Sequence, residues 1–158
     1  MKVGIGYDIH RLVEERKLLL CGVEIPYFKG LLGYSDGDVV MHAIADAMLG
    51  ALSLGDIGQH FPNTDPEFKD ISSSEIIKRV RDMVEARNYT INNVDTIILA
   101  EEPKVYPFRD KMIESMAAAL AIDKARINIK ATTNEGVGSI GKGEAIAAYA
   151  VVTLEEKR

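Results

Sequence analysis

Cysteine occurs once, as Cys21, so no internal disulfide is available and a reducing, cytoplasmic setting is expected. Its plainest use is as a small buried hydrophobe. A basic excess is also missing. There are 19 Lys+Arg against 24 Asp+Glu, a formal net charge of −5, whereas sequence-independent nucleic-acid binding needs a basic surface. Long apolar runs are absent too: the longest, Ala145 to Val152, falls far short of the roughly 20 residues that cross a bilayer. The N-terminus reaches Asp8, His10 and Arg11 before any apolar stretch forms, which argues against a secretory leader. No repeat, low-complexity tract or Pro/Ser-rich linker interrupts the chain. Its 158 residues therefore read as one domain, 1–158, able to bury about two-thirds of its unfolded surface without staples.

What is present is patterned. Val3, Ile5, Tyr7 and Ile9 alternate with Gly4, Gly6, Asp8 and His10, the period of a strand. Lys17–Cys21 predicts a second strand, and Gly30–Gly37 a loop. Asp38 is placed to cap a helix from about Val39 to Leu52, with Val40, Ile44, Ala47, Met48 and Ala51 as its buried stripe. Gly55–Pro66 reads as irregular. Ser72 and Glu75 form a capping-box pattern ahead of Ile76, Ile77, Val80, Met83 and Val84. Val94–Ala100 predicts a strand, and Phe108, Met112, Ile113, Met116 and Leu120 mark a further helix. Arg126–Thr132 and Ala145–Leu154 complete the strands. Strands and helices alternate without a strict βαβ rhythm, which implies an α+β sandwich with a mixed sheet packed on helices.

The three histidines are few enough for their positions to inform. Asp8 and His10 leave the same face of a strand. His42 lies near the start of the first helix, with Asp46 one turn later, placed to accept from the second ring nitrogen of His42. One carboxylate and two imidazoles make three ligands, leaving the open position of a catalytic zinc site. An Asp-x-His pair and a surface histidine also arise by chance at this spacing. Thr132-Thr133-Asn134-Glu135 ends a strand and opens a loop with Gly136, Gly138, Gly141 and Gly143, beside Lys142. Hydroxyls and amides next to glycines suit phosphate oxygens, and Glu135 is a hard ligand suited to magnesium; a plain glycine-rich connection fits as well. Gly136-x-Gly138-x-x-Gly141 matches a dinucleotide fingerprint too close to the chain end for the rest of that unit. Ala100-Glu101-Glu102-Pro103-Lys104 is a proline-braced turn whose backbone could read a base edge. Gly55-Asp56-Ile57-Gly58 with Phe61-Pro62-Asn63-Thr64-Asp65 could bind sugar hydroxyls or simply form Asx turns.

Together these segments resemble the 2-C-methyl-D-erythritol 2,4-cyclodiphosphate synthase family from end to end. The resemblance rests on Gly6-Tyr7-Asp8-Ile9-His10, Ser35-Asp36-Gly37-Asp38 with His42 and Asp46, and Gly55-Asp56-Ile57-Gly58 with Phe61-Pro62. Ala100 with Pro103-Lys104, Lys130-Ala131-Thr132-Thr133 with Glu135, and Gly143-Glu144 complete it. It implies a cytoplasmic homotrimer with active sites between subunits. It also implies a phosphorus–oxygen lyase of the non-mevalonate isoprenoid pathway that cyclises a cytidine diphosphate-linked substrate and releases CMP. By resemblance, Asp8, His10 and His42 hold zinc, and Glu135 holds magnesium or manganese with substrate phosphates. Thr133 and Tyr34 act on the transferring phosphate, beside Ser35, Thr132, Asn134 and Lys142. Asp56, Ile57, Gly58, Phe61, Asn63 and Asp65 take the hydroxyl-bearing part of the substrate. Ala100, Pro103, Lys104, Val105, Tyr106 and Ala131 line the cytosine pocket. Tyr34, Asn63, Ser139 and Lys142 stand where many members have histidine, aspartate, phenylalanine and arginine. The last two border an axial cavity proposed to bind isoprenoid diphosphates in the family.

A metallophosphoesterase also begins with Asp-x-His after a first strand, but it needs two metals, and beyond His42 only His60 remains. A non-catalytic trimeric binding module needs neither the zinc ligands nor Glu135.

Overall fold

The computed structural model describes residues 1–157. Its main sheet has five strands in the order β4-β1-β7-β5-β6, formed by β1 (Lys2–Glu14), β4 (Lys29–Leu31), β5 (Tyr89–Leu99), β6 (Ile127–Thr132) and β7 (Ala145–Glu156). β5 and β6 run parallel; the other neighbours are antiparallel. β2 (Leu18–Leu20) and β3 (Val23–Ile25) pair separately as a small hairpin. The mixed sheet packed on helices is as the alternation of elements implies.

One face of the sheet carries α1 (Val39–Ala51), with α3 (Ser73–Glu85) and α4 (Arg109–Leu120) completing the core over it. α3 buries Ile76, Ile77, Val80 and Val84, and α4 buries Met112, Ile113, Met116 and Leu120, close to their predicted stripes. α1 differs. Only Asp46 and Gly50 among its residues escape burial, so it runs through the interior rather than showing a single stripe, and His42 is buried with it. The capping box is half made: Ser72 Oγ accepts from Glu75 N at 3.2 Å, while the Glu75 carboxylate turns to Arg79.

The alternation in β1 is real, but the buried face is the glycine face. A Cβ at Gly6 would lie 1.8 Å from the Ala43 carbonyl oxygen, and one at Gly4 would lie 1.8 Å from that of Ala47. Glycine on the strand and alanine on the helix thus let α1 lie almost backbone to backbone on β1. The apolar partners Val3, Ile5, Tyr7 and Ile9 are exposed on the opposite face, next to Tyr149 and Val151 of β7. Ile5 pairs with Val151 and Tyr7 with Tyr149, so these six residues form one patch.

The region expected to be loop at Gly30–Gly37 begins inside β4, whose Leu31 pairs with Leu12 at the far end of β1. Gly55–Pro66 contains the single-turn helix α2 (Ile57–His60), capped by Asp56 Oδ1. Both elements are only three and four residues long, too short for local periodicity to mark them. Cys21 is fully buried and unpaired. It lies in the β2–β3 turn, whose Cys21 and Gly22 N–H groups donate to Asp38 at 3.0 and 2.6 Å. That carboxylate also caps α1 through Met41 N at 3.2 Å. Burial pushes the Asp38 carboxyl up to about 6, against the Gly22 N–H that favours its charge. No helix among the described residues is long and apolar enough to cross a membrane.

Candidate active site

β1 and α1 bring Asp8, His10 and His42 to one point. Asp8 Oδ2 lies 2.8 Å from His10 Nε2 and 2.9 Å from His42 Nδ1, and the two nitrogens are 3.2 Å apart. Among the described residues this is the one cluster of His, Cys, Asp and Glu with a metal-holding arrangement. Four ligands at the usual zinc bond lengths lie about 3.3 Å apart, so these spacings fit one divalent cation. The spacing is a consequence of the close glycine–alanine packing that brings α1 down onto β1.

The unused ring nitrogens are tied as metal-bound imidazoles require. His10 Nδ1–H donates to the Leu32 carbonyl at 2.6 Å, turning the Nε2 lone pair inward. Asp46 does not play the part expected of it. The second nitrogen of His42 faces the hydroxyls of Ser73 at 2.9 Å and Ser35 at 3.1 Å. Asp46 Oδ1 instead accepts from Ile57 N at 2.7 Å and pins the start of α2. In the metal-free chain, burial works to raise the Asp8 carboxyl, but hydrogen bonds and charge from His10 and His42 overcome it and hold it at about 2. For His10, burial works to lower the pKa, but Asp8 and the Leu32 carbonyl carry it upward.

The cleft around this cluster is lined by Tyr34, Ser35, Asp46, Ile57, Gly58, Phe61 and Asn63, with Phe68, Ile71 and Ile76 as an apolar wall. The Tyr34 hydroxyl donates to the Asp65 carbonyl at 3.2 Å, tying the 33–36 loop to the segment opposite. Two expected contributors do not line it. The Asp56 carboxylate caps α2 through Gln59 N at 3.0 Å, and Asp65 Oδ1 accepts from Glu67 N at 2.9 Å, so both hold backbone turns.

A second cleft is lined by Ala100, Pro103, Lys104, Val105, Tyr106, Ala131, Thr132 and Thr133, together with Ile129 and Lys130. The proline turn and the end of β6 therefore meet, as the resemblance implies. Glu101, which the sequence offered only as part of a turn, organises the neighbouring loop: its Oε1 accepts from Asn134 N at 2.9 Å and Gly136 N at 3.1 Å. Thr133 Oγ1 lies 3.4 Å from Glu135 Oε1 and 3.3 Å from Glu135 N, and Glu135 adopts the left-handed conformation at φ 51°. Asn134, Glu135 and Lys142 are not among the residues lining this cleft.

The two clefts do not join within one chain and share no lining residue. Asp8 pairs with Ala148, Ala148 with Ile98 and Ile98 with Ala131. Three strand spacings, about 14 Å, therefore separate the metal cluster from the end of β6.

Residues 1–155 match the YgbB family. The 2-C-methyl-D-erythritol 2,4-cyclodiphosphate synthase of Chloroherpeton thalassium is 54% identical over 156 residues, covering 99% of both chains. A solved 2C-methyl-D-erythritol-2,4-cyclodiphosphate synthase in its CDP-bound form is 37% identical with a TM-score of 0.90, over 98% of this chain and 100% of that one. The bifunctional IspDF of Campylobacter jejuni is 42% identical with a TM-score of 0.94, over 98% of this chain, which spans 42% of that longer protein.

Proposed function

The chain belongs to the YgbB family, and from that premise we propose that it converts 4-diphosphocytidyl-2-C-methyl-D-erythritol 2-phosphate into 2-C-methyl-D-erythritol 2,4-cyclodiphosphate. An oxygen of the 2-phosphate forms a new bond to the β-phosphorus. The bond between that phosphorus and the oxygen bridging it to the α-phosphorus breaks, and CMP leaves with the bridging oxygen. This makes the chain a phosphorus–oxygen lyase of the non-mevalonate isoprenoid pathway, working in the cytoplasm, a setting its single buried, unpaired cysteine suits.

The observation that carries the reading is the convergence of Asp8 Oδ2, His10 Nε2 and His42 Nδ1, no two more than 3.2 Å apart, at the floor of an open cleft. These three residues hold zinc, and Glu135 together with substrate phosphates holds magnesium or manganese. Bound there, such ions act as Lewis acids that neutralise charge on the phosphate oxygens. The nucleophile is already anionic and tethered, so no strong general base is required; positioning and charge neutralisation carry the rate. Thr133 donates its hydroxyl proton toward phosphate oxygens as charge builds on them, and Tyr34 does so once its hydroxyl leaves the Asp65 carbonyl, with Lys142 adding positive charge. Ile57, Gly58, Phe61 and Asn63 enclose the erythritol part. Backbone groups from Ala100 to Tyr106 and at Ala131 hold the cytosine.

A homotrimer supplies what one chain lacks. The apolar face of Val3, Ile5, Tyr7, Ile9, Tyr149 and Val151 is exposed and contiguous, as a surface awaiting a partner is. Packing three such faces about an axis lets the metal cluster of one subunit face the nucleotide cleft of its neighbour. The test is direct. Incubated with the cytidyl diphosphate substrate, zinc and magnesium, the protein yields CMP and the cyclic diphosphate, read by mass spectrometry. Absence of CMP, or release of linear hydrolysis products alone, refutes the proposal.

A further inference from the structure

The geometry points to Asp36 and Ser73 as positioning residues that hold His42 as its Nε2–H tautomer, so that Nδ1 is the atom offered to a cation. This rests on the reading that Asp8, His10 and His42 bind a divalent ion. Ser73 is fully buried and its hydroxyl has a single hydrogen. Asp36 Oδ1 makes a close hydrogen bond with Ser73 Oγ and also accepts from Asp38 N at 3.1 Å, while Oδ2 accepts from Ser73 N at 2.8 Å. An ionised carboxylate only accepts, so the Ser73 hydrogen is committed to Asp36. Ser73 Oγ, 2.9 Å from His42 Nε2, then has only lone pairs left to offer the ring. Nε2 must carry the hydrogen that fills this contact, and when a cation is bound Nδ1 offers it the lone pair, in place of the 2.9 Å hydrogen bond that joins Nδ1 to Asp8 in the metal-free chain.

Ser35 does not oppose this order. Its Oγ accepts from Gly37 N at 3.3 Å and lies 3.1 Å from Nε2, a second acceptor for the same N–H. Without the Asp36 anchor, the serine hydroxyls are free to donate to Nε2. The ring can then place its hydrogen on Nδ1, where it blocks the cation. Asp36 thus does for His42 what the Leu32 carbonyl does for His10.

Zinc affinity of the purified full-length protein, measured by chelator competition, separates the outcomes when joined to proton-detected NMR of ¹⁵N-histidine in the zinc-loaded form. Ser73→Ala is expected to weaken zinc binding by about 10- to 100-fold and to remove the slowly exchanging His42 Nε2–H signal, with the circular dichroism spectrum retained. Asp36→Asn, which lets the serine hydrogen point either way, is expected to act in the same direction and serves as the deciding variant if Ser73→Ala does not fold. If the parent protein binds zinc and a folded variant binds it as tightly with the signal intact, the relay is wrong. If the parent protein itself binds no divalent ion, it is the reading of the metal site that fails.

Discussion

Substituting Gly6 by alanine tests the link between the packing of α1 on β1 and the cation site. The new Cβ would lie 1.8 Å from the Ala43 carbonyl oxygen and 3.0 Å from Ala47 N. Even a close C···O contact needs about 3.3 Å, so helix and strand must part by about 1.5 Å. Neither atom is the end of a flexible side chain, and α1 is buried along almost its whole length, so the strain cannot be shed locally. Overpacking of this kind costs about 1–3 kcal/mol, here toward the upper end. For a chain of this size that lowers Tm by about 3–10 °C. Because His42 precedes Ala43, the same displacement opens the 2.9 Å separation of His42 Nδ1 from Asp8 well beyond the tolerance of about 0.2 Å for a metal site. Calorimetry at matched protein concentration and zinc competition measure the two effects side by side. An unchanged Tm, or a lowered Tm with undiminished zinc affinity, refutes the argument that glycine is there to set the ligand spacing.

Asp38→Ala removes the α1 cap and strands the buried N–H groups of Cys21 and Met41, with that of Gly22 part-buried beside them; at about 1–3 kcal/mol for each buried unpaired donor, denaturant titration is expected to show a loss of at least about 2 kcal/mol. In metal-free protein, Asp8 held at about 2 against its ordinary 3.8 contributes stability that is complete above pH 3.8 and fades as pH falls toward 2. His10, raised from 6.5, contributes below pH 6.5 and loses that contribution as pH climbs through its raised value. Denaturation with chelator present is therefore expected to show both losses, and zinc to remove the one at high pH; a flat profile contradicts the assignment. Mixed trimers of Asp8→Ala and Thr133→Ala subunits are expected to regain part of the CMP-releasing activity that either alone lacks, and no recovery in verified mixed trimers counts against a site shared between chains.

The elements legible in the sequence were those whose cause is local. The stripes of α3 and α4 follow from side-chain period, and the start of α1 follows from Asp38. β4 is not legible because its partner, the far end of β1, is distant in the chain, and α2 because a single turn of four residues is too short to show a period. The alternation of β1 gave the strand but not its orientation. Apolar residues ordinarily face inward, and here the glycines do, because a helix rather than side chains fills the space above them. In the site, residue type and spacing point to Asp8, His10 and His42, and they converge. Helical spacing points to Asp46 as the partner of His42, but the second ring nitrogen meets Ser73, 31 residues away. Asp36 lay within the Ser35–Asp38 motif that carried the resemblance, yet its work is done through that same distant serine. Glu101 was similarly hidden, since its backbone partners lie more than 30 residues further on.

Whether Asp8, His10 and His42 share one cation that meets a nucleotide held by a neighbouring subunit is decided by diffraction at the zinc absorption edge from crystals grown with zinc and CDP. One anomalous peak per chain is expected, bonded at about 2.0–2.2 Å to Asp8, His10 and His42, with a β-phosphate oxygen in the open position. The cytosine of the same CDP is expected against Ala100–Tyr106 of the neighbouring subunit. A peak elsewhere, or a nucleotide whose phosphates and base are both held by a single chain, would contradict it.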